Sequence, residues 1–423
     1  MHYLFATWDG GGTVPIDLGI ARRVIDRGHT VTVLGDPTIA DAVRHAGAEF
    51  VPWREAPHRA TDAVEDDVLK DWEVRHNPLA LFRRLSDRLI TGPAADFARE
   101  TAREIDRRRP DVVLVDAVIL GPMVAAEAAG IPTVGVCPGF YVLPAPGMPP
   151  FGLGLRPARG RAGRARDDLV NGAVRWAWRS GLPGLNGARA EHGLPPLGDP
   201  WDQLRACTSV LVTTARAFDF PAELPANAHY VGPILDDPAW AGTAAGADRG
   251  DDGGAPLVVV GLSSTHVVGQ VAMLRRIATA LASLPVRAVV CTGPAVDPAQ
   301  VPSSDNVRVV RAASHAELFP RAAAVVTHGG HGTMTKALAA GTPVLCLPVF
   351  RDQKDNAVRL TERGAGLRLR PSATPGAIAG AVRRLLVEPR FGRAAEALGA
   401  RIRAEVDHSP LVELVEGAAR PVR

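Results

Sequence analysis

Two stretches of this chain combine residue types that could do chemistry. The first is His328-Gly329-Gly330-His331-Gly332-Thr333, which follows the apolar run Ala324 to Thr327 and opens a helical stretch. Such a turn presents backbone N–H groups at a helix N-terminus, where the helix dipole favours an anion. Its glycines let the backbone approach the anion closely, and the His328 imidazole and the Thr333 hydroxyl can add hydrogen bonds. Several converging donors suit a diphosphate better than a carboxylate. The second stretch is Asp9-Gly10-Gly11-Gly12-Thr13, between the apolar run "HYLFAT" and an amphipathic segment. It could grip a phosphate or form a floor on which a ligand lies. Neither stretch reads GxxxxGK[ST], which excludes P-loop chemistry. A strict GxGxxG followed by an acidic residue at the nicotinamide-dinucleotide distance is also missing, so an NAD-dependent enzyme is a distant reading.

These loops need a scaffold that brings strand ends together. The 423 residues are too many for one ordinary core and suggest two domains. In the first half, "TVTVLG", "PDVVLVD" and "IPTVGVC" read as strands separated by helical stretches. One of these, "VPIDLGIARRVIDRG", carries apolar residues at Ile16, Ile20 and Val24 and ends at Gly28, a C-cap candidate. Continuous Val/Ile/Leu runs alternating with helices mark parallel strands covered on both faces. Residues 236–255, rich in Gly, Ala and Asp, read as a linker, and the same alternation restarts after them with "PLVVVGLSS". The expectation is therefore α/β, with two Rossmann-like doubly wound domains facing across a cleft. They would span 1–235 and 256–400, and a helix and tail at 401–423 could pack back on the first domain. Between Phe140 and Pro200, loops rich in Gly, Pro and aromatic residues would lie over the carboxyl ends of the strands. Phe140, Tyr141, Phe151, Trp176 and Trp178 could line an apolar pocket there, although the two tryptophans could equally be core of a helix pair.

Composition narrows the class. Lys plus Arg number 48 and Asp plus Glu 45, a net charge of +3, which argues against a nucleic-acid partner. The four cysteines form no CxxC pair and no Asp-x-Asp motif stands out, so no metal site is expected. Buried free thiols, the lack of a signal-peptide pattern and the lack of an 18-residue apolar run lead to the expectation of a soluble cytoplasmic protein without a membrane span.

The block "AVVTHGGHGTMTKALAAGTPVLCLPVFRDQKDN" resembles the donor-binding signature of inverting GT-B glycosyltransferases that act on small lipophilic natural products, as in actinomycete antibiotic and polyketide pathways. The resemblance extends over essentially the whole chain. It implies a pyrimidine nucleotide sugar, dTDP- or UDP-linked, as co-substrate, with no separate cofactor. By position, His328 with Gly330, Gly332 and Thr333 would hold the diphosphate, together with Ser263 and Ser264. Asp352 and Gln353 would hold sugar hydroxyls, and Asp352 could also cap a helix. The Ala313 backbone and His315 would face the base, with Ala312 replacing the usual stacking aromatic. Lys336 stands where a ribose-binding Glu is usual and could favour phosphate instead. Phe140, Tyr141 and Trp178 become acceptor-binding candidates, and a homodimer is possible.

In the same family the first loop reads Gly-His-x-x-Pro, and the His is the general base. Here the matching residues are Gly11-Gly12-Thr13-Val14-Pro15, so Gly12 stands in the histidine's place. Gly11 and Gly12 would then form a floor whose N–H groups could assist the diphosphate. Asp116, matching the family's His-orienting Asp, and Asp9, at the end of the first strand, are the remaining candidates for the base. A carboxylate of ordinary pKa is a weak base towards an alcohol, but burial can raise it by several units. The acceptor would be relatively acidic, with O-transfer favoured and C-transfer as a variant. The alternatives are a catalytically weak nucleotide-sugar-binding auxiliary protein and a sugar-nucleotide epimerase on the same fold.

Overall fold

The computed structural model describes residues 1–74, 77–242 and 254–419. Two parallel sheets carry the chain. The first contains β1 (His2–Ala6), β2 (Thr30–Gly35), β3 (Glu49–Pro52), β4 (Val112–Asp116), β5 (Thr133–Cys137), β6 (Ser209–Val212) and β7 (Ala228–Tyr230), in the order β3-β2-β1-β4-β5-β6-β7. The second contains β8 (Leu257–Gly261), β9 (Arg287–Cys291), β10 (Val307–Val310), β11 (Ala324–Thr327), β12 (Val344–Cys346) and β13 (Gly366–Arg368), in the order β10-β9-β8-β11-β12-β13. Helices cover both faces. Along β1, Leu4 and Ala6 enter one core while Tyr3 and Phe5 enter another; along β8, Val259 faces one core and Val258 and Val260 the opposite one. Burial on both faces is why these strands read as unbroken apolar runs.

The strand order reverses between β1 and β4 and again between β8 and β11. In such sheets ligands bind outside the carboxyl ends of the strands at the reversal. The loops that begin at Thr7, Ala117, Leu262 and His328 leave from these four strand ends.

Helix Val14–Asp26 buries Ile16, Ile20 and Val24, as its spacing predicts, and Gly28 follows it at φ 85°. The boundary placed at 400/401 falls inside a continuous helix, Pro389–Asp407. This helix packs its Ala395, Leu398 and Ile402 into the second domain. A further helix, Leu411–Ala418, buries Leu411, Val415 and Ala418 with Ile20 and Val24 in the first. Of the expected linker, residues 243–253 lie outside the described residues. Its beginning is tied to both domains: Asp236 pairs with Arg23 at 2.7 Å and Asp237 with Lys336 at 2.9 Å. All four cysteines are buried free thiols. Among the described residues no helix is long and apolar enough to cross a membrane.

Candidate donor and acceptor site

The phosphate-type loop is built by local constraints. Gly329 has φ 95°, and a Cβ there would come within 2.7 Å of the Cys346 Sγ. A Cβ on Gly330 would lie 2.9 Å from His328 Cε1 and Nε2, so this glycine lets the imidazole fold over the helix start. Helix His331–Ala339 has no side-chain cap at Gly330, and its first backward bond is Met334 N–H to the Gly330 carbonyl at 3.0 Å. The N–H groups of the first turn therefore remain available to an anion. Burial lowers the His328 pKa to about 4, with Arg351 adding to the effect, so the imidazole is neutral at pH 7. Thr327 pairs with Gly261 across β11 and β8, which brings the His328 and Ser263 loops out at the same level. Ser263 is fixed by its own turn: its Oγ accepts from the Thr265 N–H at 3.2 Å, and its carbonyl accepts from Gln270 Nε2 at 2.8 Å.

The next loop converges on the same place. Asp352 sits at the start of helix Gln353–Glu362 but makes no capping bond through its side chain. Its Oδ2 accepts from Asn356 Nδ2 at 2.7 Å, and burial raises its pKa to about 6. Gln353 Oε1 accepts the Val349 and Phe350 N–H groups at 2.8 and 3.2 Å, which leaves its NH2 to donate to a ligand. Asn356, absent from the sequence-based set, joins the two loops. Its Nδ2 also donates to the Gly329 carbonyl at 3.0 Å, and its Oδ1 lies 3.2 Å from His331 Nδ1. Asn356 stands four residues after Asp352, a helical spacing that was available in the sequence. His331 is buried between Phe140 and Phe218, with ring centroids 6.3 and 6.0 Å away, and belongs to packing between the domains.

Around the expected base site, Ala313 is buried with its N–H facing the Cys291 thiol. The His315 ring stacks on Phe319 at 4.3 Å, and burial lowers its pKa to about 4. Lys336 does not present a charge to phosphate. Asp237 holds it, while the other oxygen of that carboxylate accepts from Ser314 Oγ and the Ala316 N–H. The aspartate supplied by the interdomain segment neutralises the unexpected lysine.

The glycine loop is a floor rather than a grip, which corrects the expected assistance from the N–H groups of Gly11 and Gly12. Gly10 N–H donates to the Trp8 carbonyl at 2.9 Å, Gly12 N–H to the Gly10 carbonyl at 3.0 Å, and Gly11 N–H to Asp9 Oδ1 at 3.0 Å. Gly11 has φ 75°, and a Cβ on it would lie 2.4 Å from Thr265 Cγ2 and 3.3 Å from Ser264 Oγ of the other domain. Gly12, in contrast, has open space where a side chain would stand.

The two candidate bases differ. Asp9 is engaged on both oxygens: Oδ1 by Gly11, Oδ2 by Thr38 Oγ1 at 2.8 Å and Arg59 Nη1 at 3.3 Å. It holds the loop and is set aside as a base. Asp116 is fully buried; its Oδ1 accepts from the Val118 N–H at 3.0 Å, and its Oδ2 has no hydrogen-bond partner. Burial raises its pKa to about 7; the Trp8 indole beside it partly offsets the rise without making a well-formed hydrogen bond. A second buried carboxylate, Asp17, is coupled to it. Burial and the Asp116 charge hold Asp17 well above the usual carboxylate range, and Thr7 donates to it. Asp17 lies three and four positions before Ile20 and Ala21 on the buried stripe of its helix, the one sequence signal that marked it.

The acceptor-side aromatics are also corrected. Phe140 is buried under the Arg359 guanidinium, 3.7 Å from its ring centroid, and Tyr141 lies in the core of the first domain. Trp178 packs on Phe82 and Trp201 at 4.2 and 5.0 Å. Phe151 and Trp176 are the exposed rings, at 44% and 75%. The loop carrying Phe151 is pinned to the second domain by Asp355, which accepts the Gly152 and Gly154 N–H groups at 2.6 and 2.8 Å.

Comparison with known proteins shows the family and the fold. Residues 280–416 match the family of the erythromycin biosynthesis protein CIII-like C-terminal domain. The PGL/p-HBAD biosynthesis glycosyltransferase of Mycobacterium tuberculosis is 32% identical over 92% of this chain and 91% of its own. The chain belongs to the glycosyltransferases. The 4'-demethylrebeccamycin synthase of Lentzea aerocolonigenes is 28% identical over 98% of both chains. The crystal structure of the glycosyltransferase VinC in complex with dTDP superposes with a TM-score of 0.71 at 23% identity, covering 99% of each chain. The fold of this glycosyltransferase is thus the two-domain GT-B architecture, and its loop after β11 lies within the segment matched to the family.

Proposed function

We propose that this glycosyltransferase moves a hexosyl group, a deoxysugar in the favoured reading, from a dTDP- or UDP-linked donor to a small lipophilic acceptor, with inversion, in antibiotic or secondary-metabolite biosynthesis. The acceptor oxygen attacks the anomeric carbon in line as the nucleoside diphosphate departs. The observation that carries this reading is the apposition of the two strand-order reversals. The uncapped helix start after β11 and the Ser263-Ser264 loop belong to one domain, and the Gly11 floor of the other touches that serine loop. His328, Ser264 and the first-turn N–H groups would stabilise the leaving diphosphate, the dominant contribution when charge develops on a leaving group. That VinC was solved with dTDP supports the thymidine series as first choice.

In this reading Asp116 takes the acceptor proton. Its unpartnered oxygen and its pKa near 7 suit proton transfer at neutral pH. A phenol or another acidic hydroxyl suits such a base best, which keeps O-transfer ahead of C-transfer.

Calorimetric titration with TDP, UDP, GDP and ADP, beside His328→Ala, tests the donor site. A pyrimidine diphosphate bound tightly and lost in the variant is the expected result; binding indifferent to base or to His328 would overturn it. Turnover is expected to survive EDTA, since the donors named here stand where a metal's charge would act. Loss of activity restored by magnesium would contradict that part.

A further inference from the structure

The short turn Asp71–Glu73 belongs to the first domain, yet its first two side chains reach the second. Asp71 Oδ2 accepts from Arg351 Nε at 2.8 Å, and the Trp72 ring meets His266 edge-on with centroids 5.2 Å apart. Arg351 immediately precedes Asp352, and His266 follows Ser263 and Ser264 by a few residues. One turn therefore touches both loops assigned to the donor. Among the described residues only Lys70, Arg109 and Arg351 are non-glycine residues with positive φ, at 43°, 49° and 54°. Two of the three stand at this ion pair, one beside Asp71 and one within it. Side chains rarely occupy this left-handed region unless their surroundings hold them there, and such positions gather at ligand clamps.

A second observation points to a ligand. Asp71 is 2% exposed and its Oδ1 has no hydrogen-bond partner, whereas a buried carboxylate oxygen ordinarily has one. The Arg351 charge acts on both His328 and Asp352, so the pair stands beside the groups read as holding diphosphate and sugar. We infer that Asp71 completes the donor site from the opposite domain, its Oδ1 accepting a hydrogen bond from a hydroxyl of the donor's sugar while Arg351 positions the carboxylate. This rests on the donor-site reading above. It means that the sugar, unlike the bare diphosphate, is read only when the cleft is closed.

The test compares sugar nucleotides with bare diphosphates. Wild type, Asp71→Ala and His328→Ala are titrated with dTDP-glucose, dTDP-rhamnose and UDP-glucose, and with TDP and UDP. Asp71→Ala is expected to weaken the tightest sugar nucleotide about tenfold, the scale of one hydrogen bond to a charged group, and the matching diphosphate less than twofold. Equal losses for both ligands, or none, would overturn the inference, as would a wild-type protein that binds no sugar nucleotide more tightly than its diphosphate. If His328→Ala retains TDP binding, the donor site itself is misassigned. If His328→Ala loses TDP while Asp71→Ala changes nothing, only this inference fails. Should Asp71→Ala not fold, Asp71→Leu carries the same comparison, because it keeps a similar size and removes both acceptor oxygens.

Discussion

At the scale of single residues, protonation states organise the site. His328 is neutral at pH 6 because burial holds its pKa near 4. A diphosphate placed against it favours the charged form and raises that pKa. Binding of TDP at pH 6 is therefore expected to take up a proton. Titrations in buffers of different ionisation enthalpy would measure the uptake, and His328→Ala should abolish it. Asp116→Asn is expected to lower turnover by a factor of about 10² to 10⁴, the usual contribution of a general base, and to leave TDP binding intact. Asp9→Asn should instead act through the loop and through Arg59, and near-wild-type turnover in Asp116→Asn would overturn its assignment as the base. Burial raises the pKa of Asp36 to about 7, with one oxygen bonded to the Asp9 and Arg59 N–H groups. A folded-state pKa above the unfolded one means that the native state holds the proton longer. Stability from this group is present below pH 4 and is lost as pH rises through 7. Asp36→Asn should remove part of that fall, seen as a flatter Tm between pH 4 and 7.

The elements show what the sequence could and could not reveal. Strands β1, β2, β4, β5, β8, β9 and β11 were legible because both faces are buried and each carries a run of mostly apolar residues. The edge strands β3 and β13 were not: Glu49–Pro52 includes a glutamate and a proline, and Gly366–Arg368 has three residues with only one buried. The His328 loop was legible from its glycines, which local backbone geometry requires. Asn356, Asp17 and Asp71 were far harder to find, because their roles come from partners distant in the chain or from a buried face that a single residue does not declare. The aromatics between Phe140 and Pro200 misled for the same reason: an aromatic residue on a loop reads alike whether it faces a ligand or the Arg359 guanidinium. Gly11 and Gly12, neighbours in sequence, separate at this scale. Gly11→Ala is expected to cost about 1–2 kcal/mol from left-handed strain alone and to disturb the contact with Thr265. Gly12→Ala, with open space around it, should stay within about 0.5 kcal/mol. Chemical denaturation of the two variants side by side checks the contrast.

At the scale of the whole molecule, the two domains are joined by more than their linker. Glu405, on the helix Pro389–Asp407, accepts the Arg216 and Ala217 N–H groups of the first domain at 2.6 and 2.9 Å, and Ser409 donates to the Val231 carbonyl at 2.5 Å. The central tie is Arg359 with Asp219, at 2.8 Å, with side chains 2% and 0% exposed. Arg359 lies on the helix that begins with Gln353, and its guanidinium also covers Phe140 and Phe220 of the first domain. Asp219 is shared with Tyr230, whose hydroxyl donates to it at 3.0 Å. A buried pair adds little over apolar residues of the same shape, but removing one partner leaves a desolvated charge. Asp219→Ala should therefore destabilise the protein by roughly 3–5 kcal/mol. Arg359→Met with Asp219→Asn, which removes both charges, should recover much of that loss. The double variant would also release the helix Gln353–Glu362 from the first domain. Its Kd for TDP is expected to stay near wild type while turnover falls, because the loop proposed to hold the diphosphate belongs to one domain and the proposed reaction needs both. A double variant with full turnover would mean that the Asp355 and Glu405 contacts suffice to hold the cleft closed.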